Sequence, residues 1–400
     1  MVNYLGEVCS KGLSVIFVVF AICALGYLLG RIEIKGISLG SAGVLLVALA
    51  FGVLCSFFPS FTIGETTVNL FNDALKSSYT TVSSIGTALF VTAVGLIAGP
   101  KFFRTFNRKS LAYILMGVVV ITAGAGVTVL LLLLDKGMSP ATAVGLLMGG
   151  LTSTPGLSAA QDVIDSADLS AGYAIAYLFG VLGVVLFVQI MPRLLHVDIA
   201  KERESFVAAG AVTLKEDTKK RVSVDPLGFF PFMLAIGLGV LIGAIKIPGI
   251  NFSLGTSGGT LVAGLIIGHF GHIGPIDCRI KKETLNFFRE LGLVLFLAGA
   301  GVKGGVEFIA NFKPVYFLYG ALMTLLPMLI GFLLGKFVFK LSIFNNLGSI
   351  TGGMTSTPAL GALINTAGTD DVSSAYAATY PIALVMVVLA AKIILMIPFG

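Results

Sequence analysis

The sequence predicts an all-α polytopic membrane protein made of two inverted repeats, each with five transmembrane helices and a re-entrant hairpin. Three observations lead to this fold class: a very apolar composition, a motif that occurs twice, and an alternation of loop charge. The chain of 400 residues is 56% hydrophobic and 12% charged, whereas about a quarter of the residues in soluble domains are charged. Apolar runs of about twenty residues recur, and they lack the alternation of barrel strands.

The helices are predicted from apolar runs that end at charged or glycine-rich stretches. In the first half the runs are 13–30, 39–58, 84–99, 110–134 and 170–195, with a broken segment at 139–165. In the second half they are 226–245, 253–270, 288–306, 314–335 and 374–398, with a broken segment at 344–366. Residues 1–196 and 226–400 are the predicted membrane repeats, and the polar residues 197–225 are a connector too short to be a domain.

One motif occurs in both halves. The sequence Gly149-Gly150-Leu151-Thr152-Ser153-Thr154-Pro155 returns 203 positions later as Gly352-Gly353-Met354-Thr355-Ser356-Thr357-Pro358. Tyr177 and Tyr380 match at the same offset, and a pattern of glycine, leucine and phenylalanine that begins at Gly86 returns from Gly292. Because both spacing and residue type are kept, we interpret the halves as repeats.

The motif interrupts apolar runs with glycine pairs, hydroxyl side chains and a proline. An unpaired backbone group in hydrocarbon costs several kcal/mol, so such a segment must be buried in protein or line a watery cavity. Matched interruptions in the two halves of a duplicated membrane protein are the best sequence indication of a transporter binding site. The motif therefore predicts a carrier.

Loop charge predicts that the hairpins re-enter. Lysine and arginine mark cytoplasmic loops, and in the first half they cluster around Arg31 and Lys35, at 101–109 and in the connector. This alternation requires segment 139–165 to enter and leave on the same face. A single discontinuous helix that crosses the bilayer is the alternative, and it would place the connector outside.

An odd number of spans per half then inverts the second half. Its basic loops, at 279–282 and 336–340, lie where an inverted copy predicts cytoplasm. Asp370 and Asp371 would be cytoplasmic as well, but acidic residues have little weight in this rule. The N-terminus is predicted outside and the connector inside.

The dipeptides Thr154-Pro155 and Thr357-Pro358 predict the start of the second arm of each hairpin, because threonine can cap a helix and proline suits its first turn. A helix start has free N–H groups and a partial positive charge, which favour a carboxylate or another anion. Inverted copies would bring two such starts together near the middle of the membrane. We therefore predict that both dipeptides bind the substrate.

The hydroxyl groups of Thr152, Ser153, Thr355 and Ser356 are predicted to add donors to this site or to coordinate a cation such as sodium. The glycine pairs, Gly149-Gly150 and Gly352-Gly353, are candidate structural or hinge residues. A simpler explanation is that these small residues only kink helices and allow close packing. The presence of two matched copies favours the binding site.

Lys303, Tyr177 and Tyr380 are further candidates for contact with the substrate. A cation inside a membrane span is a functional hypothesis by default, and Lys303 would be a substrate counter-ion; alternatively, a lysine near a span end extends to the interface. The tyrosines follow the hairpins and either line the substrate path or anchor the interface. Lys392 is predicted to extend to the interface and Asp162 to lie at the rim of its hairpin.

Other functional classes fit less well. All three histidines lie at or beyond span ends, and no nucleophile–base pair or cluster of acids with histidine or cysteine occurs within a span. The sequence therefore predicts neither an enzyme nor a metal centre. The basic residues lie in loops that orient the helices, so the net charge of +6 predicts neither nucleic acid nor an acidic partner. The apolar runs predict the lipid bilayer as a partner.

Each half resembles the duplicated membrane domain of the aspartate:alanine exchanger family. The resemblance rests on the glycine pair with Thr-x-Thr-Pro, on the following tyrosines, and on the stretches Arg289–Leu297 and Gly301–Gly305. It implies a bacterial inner-membrane carrier of small carboxylates, which exchanges aspartate for alanine or exports dicarboxylates such as succinate. It also implies an elevator-type fold and a homodimer.

One departure concerns the centre of the chain. Relatives often carry a pair of cytosolic regulatory domains between the halves, where this sequence has only the connector. We interpret the chain as a secondary carrier without a bound cofactor, and coupling to sodium stays open. The alternatives are a sodium- or proton-coupled antiporter of inorganic ions, a channel, and a membrane sensor.

Overall fold

The computed structural model describes residues 2–34, 37–38, 41–102, 111–164, 166–197, 221–247, 252–311, 313–369 and 372–398. Within these ranges the protein is mostly helical, with four short antiparallel β-hairpins between helices. Several charged residues used in the orientation argument, Lys35, Arg104, Arg108, Lys109, Asp370 and Asp371, lie outside the described residues, as does most of the connector.

The first half contains the helices α1 (Val2–Gly12), α2 (Val15–Gly30), α3 (Ala42–Phe57), α4 (Asp73–Phe102), α5 (Leu111–Leu134), α6 (Pro140–Gly150), α7 (Thr154–Gln161) and α8 (Ala167–Leu194). The second half contains α9 (Phe229–Ala244), α10 (Gly255–Phe270), α11 (Lys282–Asn311), α12 (Val315–Phe337), α13 (Ile343–Gly353), α14 (Thr357–Ala367) and α15 (Ser373–Met396). The helices α2 to α8 thus correspond in order to α9 to α15, and both broken segments consist of two short helices.

The β-hairpins join helices that follow each other in the chain. They pair β1 (Glu33–Ile34) with β2 (Ile37–Ser38), β3 (Ser60–Ile63) with β4 (Thr66–Asn69), β5 (Lys246–Ile247) with β6 (Phe252–Ser253), and β7 (His272–Ile273) with β8 (Ile276–Asp277). Each half has them in the same two places: after α2 and α3 in the first half, and after α9 and α10 in the second. These short strands and the helix α1 were not predicted from the sequence.

Among the described residues, six helices are long and apolar enough to cross a membrane: α4, α5, α8, α11, α12 and α15. A seventh span is obtained if α1 and α2, which meet at an angle of 68°, are taken together. The helices α3, α9 and α10 have 16 residues each, which is about 24 Å and shorter than a bilayer core of roughly 30 Å. The protein is therefore a multi-pass membrane protein, and the full set of ten spans stays a prediction.

The segment α6–α7 is a helical hairpin with both ends beside the start of α8. At the start of α6, Ser139 donates to the carboxylate of Asp168 over 3.0 Å, and at the end of α7, Gln161 donates to Ser170 over 3.1 Å. Farther along, Gly149 contacts Tyr173 and Tyr177. Hence α6 runs parallel to α8 and α7 returns, which is the geometry expected of a hairpin and not of a crossing helix.

The second broken segment, α13–α14, follows the same plan. Gly348 contacts Val372, and Gly352 contacts Tyr376 and Tyr380 one turn later. The helix α13 is therefore parallel to α15. Because α15 starts six residues after α14 ends, the arm α14 returns to the end where α13 began.

The corresponding helices α4 and α11 of the two halves pack antiparallel to each other. Gly86 of α4 lies against Phe296 of α11, while Gly299 lies against Tyr79 and Ser83. Glycine is required at position 86, because a Cβ atom there would overlap the backbone nitrogen of Phe296. The helices α5 and α12 pack in the same reversed order.

The helices form two groups by their contacts. We define the panel group as α2–α4 with α9–α11, in which α4 and α11 pack on each other and on α10 and α3. The hairpin group is α5–α8 with α12–α15. The groups meet where α8 packs on α11, α15 on α4, and α7 on α10 and α4.

Connections contact each other at both ends of the helices. At one end, Glu65 of the β3–β4 turn donates its backbone N–H to Asn3 over 3.3 Å, and Lys313 donates to the carbonyl of Gly137 over 3.0 Å. At the other end, the last residues of the connector meet the β7–β8 hairpin, where Val222 donates to the carbonyl of Pro275 over 3.0 Å.

Candidate functional site

The two hairpin tips meet inside the protein. Between α6 and α7, the hydroxyl of Thr152 donates to the carbonyl of Met354 over 2.9 Å. Between α13 and α14, the hydroxyl of Thr355 donates to the carbonyl of Leu151 over 3.1 Å. All four residues are buried. Each repeat thus uses the same threonine to hold the backbone of the other, and we name this pair of bonds the threonine clasp.

The clasp requires an unusual backbone at both threonines. Thr152 has φ of 53° and Thr355 has φ of 51°, in the left-handed region that a β-branched residue seldom adopts. Such a conformation costs roughly 1–3 kcal/mol and persists only where the surroundings enforce it. The same strained backbone conformation at equivalent positions indicates that the two tips have the same local structure.

Each tip is followed at once by the start of a helix. Ser153 is the N-cap of α7 and accepts a hydrogen bond from the backbone N–H of Gly156 over 3.3 Å; Ser356 is the N-cap of α14. The prediction that Thr154 and Thr357 are the caps is wrong by one residue. Both are the first residues of their helices. The turn between the arms ends at the left-handed residues Thr152 and Thr355, so the serine that follows each of them is the cap.

The two caps differ in their hydrogen bonds. The side chain of Ser356 makes no capping bond, and its Oγ is fully buried without a partner among the described residues. An unpaired buried hydroxyl costs about 1–3 kcal/mol. The start of α14 therefore combines uncapped N–H groups with a hydroxyl that can still bond a ligand. The side chains of Thr357 and Pro358 lie outside the part of the chain that the structure describes.

The tyrosine pairs support the hairpins from behind. Thr154 lies 3.0 Å from the hydroxyl of Tyr173, and the rings of Tyr173 and Tyr177 are 4.9 Å apart. In the second half, the rings of Tyr376 and Tyr380 stack at 5.1 Å. Tyr177 and Tyr380 are half-buried, so they lie within the protein at the tip-facing end of the arms.

The glycine pairs set the approach of the hairpin arms. A Cβ atom at Gly149 would overlap the Tyr173 carbonyl, and one at Gly352 would lie 2.8 Å from that of Tyr376. The second glycine of each pair faces the other half: Gly150 contacts Thr324, and Gly353 contacts Val120. Close packing thus accounts for both pairs, and a hinge role stays a prediction.

Lys303 lies apart from the clasp. Its side chain is only 5% exposed, so it does not extend to the interface. The adjacent Gly304 packs on Ser170, at the base of the first hairpin, whereas the tip residue Thr152 contacts Gly180. Ten residues of α8 separate these two levels, which is about 15 Å. The structure therefore brings the tip residues together and leaves the backbone of Lys303 at the hairpin base.

Two charged residues have positions that the sequence did not predict. Lys392 is 2% exposed and pairs with the carboxylate of Asp162 over 3.6 Å, so the prediction that it extends to the interface is wrong. Asp162 does end the hairpin arm, but it also accepts two hydrogen bonds from Ser257. Their separation by 230 positions in the chain left no local signal for this pair.

Arg289 and Glu290 have different surroundings despite being adjacent. The carboxylate of Glu290 accepts a hydrogen bond from the hydroxyl of Tyr27 over 2.9 Å, within the panel group. Arg289 is half-buried. No ion pair among the described residues joins Arg289 to Glu290.

The described residues contain no cluster of side chains that could hold a metal ion. No three side chains of histidine, cysteine, aspartate or glutamate come together there. The chemical groups that do come together at the tips are backbone N–H groups, carbonyls and hydroxyls, which can orient a small anion or surround a monovalent cation.

A family model described as Predicted Permease Membrane Region matches residues 18–193 and 231–396. The two matches correspond to the two halves and exclude the connector. Together they cover well over half of the chain.

Similar proteins occur in several bacteria. An uncharacterized transporter of Bacteroides fragilis is 28% identical over 538 residues, covering 94% of this chain and 97% of the relative. One from Bacteroides thetaiotaomicron has the same identity and coverage, and one from Desulfotalea psychrophila is 24% identical over 545 residues, covering 96% and 97%. These alignments are much longer than 400 residues, so the relatives contain segments without a counterpart here.

Proposed function

Because its two halves match the membrane region of the aspartate:alanine exchanger family, this chain belongs to that family of transporters, and we propose that it is a secondary carrier of small carboxylates. The substrate would be an amino acid such as aspartate or alanine, or a dicarboxylate such as succinate, moved by exchange or export. Its carboxylate would bind at the starts of α7 and α14.

The start of α14 carries this proposal. Helix N-termini present N–H donors and a partial positive charge to an anion, and here the fully buried hydroxyl of the cap residue Ser356 has no hydrogen-bond partner among the described residues. A carboxylate that accepts from this hydroxyl and from the first N–H groups of α14 would satisfy both. Its location between repeats agrees with the midplane sites of carriers that have broken helices.

The proposed orientation is that of two inverted repeats. The antiparallel packing of α4 on α11 supports it, as do the contacts of Glu65 with Asn3 at one end and of Val222 with Pro275 at the other. In this orientation the N-terminus is outside and the connector is in the cytoplasm of a bacterial cell. The last described connector residues and the β7–β8 hairpin then share the cytoplasmic side.

Alternating access would come from movement of the hairpin group against the panel group. The panel group would be the scaffold, and the packing of α4 and α11 on each other and on α10 and α3 supports including both helices in it. Both candidate helix starts belong to the hairpin group, so the substrate would move with them, as in an elevator. A homodimer held through the panel group is a further part of the proposal. Coupling to sodium is the alternative that the transport assay below distinguishes.

Reconstitution into liposomes tests the function. Vesicles are loaded with unlabelled aspartate, alanine or succinate, and uptake of the labelled compound is measured without an ion gradient. Uptake that depends on the internal compound is expected. Uptake only under a sodium or proton gradient would instead favour a coupled carrier, and flux far above carrier turnover would favour a channel. Binding without movement under any gradient would contradict transport itself.

A further inference from the structure

A carboxylate joins the two helix groups at the base of the first hairpin. Asp162, the C-cap of α7, accepts hydrogen bonds through Oδ2 from the backbone N–H of Ser257 at 3.0 Å and from its hydroxyl at 2.5 Å. Ser257 is fully buried in the first turn of α10. The hairpin group thus places an anion on a helix N-terminus of the panel group, where the helix dipole stabilises it.

The backbone of α10 is shaped to receive this carboxylate. Gly255, the first residue of the helix, has φ of +67°, and a Cβ atom there would lie 2.5 Å from Oδ2 of Asp162. Only glycine combines this φ with the close approach of the anion. The contact between Asp162 and the start of α10 therefore depends on the glycine at position 255.

Lys392 compensates the charge from within the hairpin group. Its ammonium lies 3.6 Å from Oδ2 of Asp162, and its side chain is 2% exposed against 18% for Asp162. Both residues belong to the hairpin group, on α7 and α15, whereas Ser257 belongs to the panel group. If the groups separate, the ion pair moves as a unit and only the two hydrogen bonds from Ser257 break.

The repeat has no charged counterpart. At the offset of 203 that relates the hairpins, Asn365 occupies the place of Asp162 and Gln189 that of Lys392. Hydrogen bonds to a charged acceptor are roughly twice as strong as neutral ones. A symmetric pair of contacts would favour neither state of the carrier, so a charged contact in one half alone favours the state in which that contact is closed.

We propose that Asp162 and Ser257, with Lys392 as counter-ion, form a latch that holds the hairpin group on the panel group in one state of the transport cycle. This inference rests on the proposed alternating access. In the proposed orientation the latch lies at the outer face, the end that also carries the N-terminus.

A disulfide across the group boundary reports whether the latch is closed. The hydroxyls of Thr87 on α4 and Ser158 on α7 are 3.5 Å apart, one helical turn from Asp162, so cysteine side chains at these two positions would face each other across the group boundary. The four native cysteines are replaced by alanine, T87C and S158C are introduced, and the rate of disulfide formation is followed by loss of thiol labelling. No substrate is added.

Removal of the latch should slow this reaction. S257A, which keeps the ion pair, and D162N/K392Q, which removes both charges together and leaves neither unpaired, are each expected to lower the rate at least threefold. The matched control is D168N, because Asp168 is also a carboxylate at the hairpin base but is bonded to Ser139 inside the hairpin group. D168N should stay within about 1.5-fold of the parent.

Equal rates for the parent, S257A and D162N/K392Q would overturn the latch, as would a decrease in D168N as large as in S257A. Thermal unfolding of each variant in detergent verifies that it folds, and the conservative change in S257A keeps the test decisive if the double variant does not. Because the measurement uses no substrate, its outcome is separate from that of the transport assay.

Discussion

Ser153 and Ser356 occupy equivalent positions at the two tips but have different partners. Ser153 accepts a hydrogen bond from Gly156, whereas Ser356 accepts none as a cap. An N-cap serine ordinarily stabilises its helix, and its loss costs about 1 kcal/mol. If Ser356 binds the substrate as proposed, substitutions of these two serines should have different effects.

We predict that S356A weakens substrate binding at least tenfold and leaves the melting temperature unchanged or higher. The variant loses a donor to a charged ligand, worth roughly 1.5–3 kcal/mol, but no bond to the protein. S153A should instead destabilise the protein by about 1 kcal/mol. Isothermal titration and thermal unfolding in detergent measure the two effects. Equal affinities of S356A and the parent would contradict the site at α14.

The threonine clasp makes a second prediction at the residue scale. T152V removes the hydroxyl that bonds Met354 and leaves that buried carbonyl unpaired, so we expect a loss of about 1–3 kcal/mol in the free energy of unfolding. T152S keeps the hydroxyl and removes the β-branch, which eases the strained φ of 53°. It should be at least as stable as the parent. Chemical denaturation of both variants checks this, and a T152S as unstable as T152V would refute it.

At the scale of elements, glycine packing fixes the distance between α6 and α8. A Cβ atom at Gly149 would meet the Tyr173 carbonyl and the backbone of Tyr177, which cannot move independently of their helix. A Cβ atom at Gly126, in α5, would meet nothing within 4 Å. Both positions are glycines in apolar helices, but their surroundings are opposite.

We therefore expect G149A to reduce the yield of folded, monodisperse protein, with a cost of about 1–3 kcal/mol or more for displacing the backbone. G126A should be neutral or slightly stabilising, because alanine favours helix by up to about 1 kcal/mol. Size-exclusion profiles and melting temperatures give the comparison. Normal folding of G149A would show that α6 can shift along α8.

The start of α9 is fixed by a carboxylate outside the membrane spans. Asp225 accepts backbone hydrogen bonds from Phe230 at 2.8 Å, Phe229 at 2.9 Å, Gly228 at 2.5 Å and Leu227 at 3.0 Å. These hydrogen bonds stabilise the charged carboxylate and hold the pKa of Asp225 below its usual value, and the bond from Phe230 has the largest effect. A carboxyl group whose pKa is lower in the folded state than in the unfolded state stabilises the fold at pH values above its pKa in the unfolded state, about 3.9. This stabilisation is lost as the pH falls through the pKa of the folded state.

The melting temperature of D225A should therefore lie below that of the parent at pH 7, and the gap should narrow as pH falls below about 4. Protonation of Asp225 in the parent weakens the hydrogen bonds to the start of α9, and these are the same bonds that D225A removes. Thermal unfolding between pH 7 and pH 3 tests the sign. A gap that stays constant over this range would show that the charge of Asp225 does not contribute.

Periodic and repeated features made the helices predictable, and long-range contacts did not. The apolar runs and the duplicated motif gave the positions of α2 to α15 within a few residues, apart from α4 and α11, which are longer because they extend past the apolar run. The helix α1 and the β-hairpins are too short and too polar to give a periodic signal. The pairing of Asp162 with Lys392 depends on how distant helices meet, which one sequence does not encode locally.

At the scale of the whole molecule, the reciprocal contacts of the two halves have a consequence for topology. The β3–β4 and β7–β8 hairpins occupy equivalent places in the repeats. Parallel repeats would place both on the same side of the membrane, and inverted repeats would place them on opposite sides. The antiparallel packing of α4 on α11, which directly follow these hairpins, favours opposite sides.

Single cysteines in a variant without native cysteines test this directly in cells. E65C in the β3–β4 turn and I273C in β7 are both at exposed positions. We expect a membrane-impermeant maleimide to label E65C in intact cells and I273C only after permeabilisation, because the positive charges that follow at 279–282 hold that end in the cytoplasm. Labelling of both in intact cells would exclude inversion. That result would also contradict the proposed substrate site, which requires the starts of α7 and α14 to approach each other from opposite sides of the membrane.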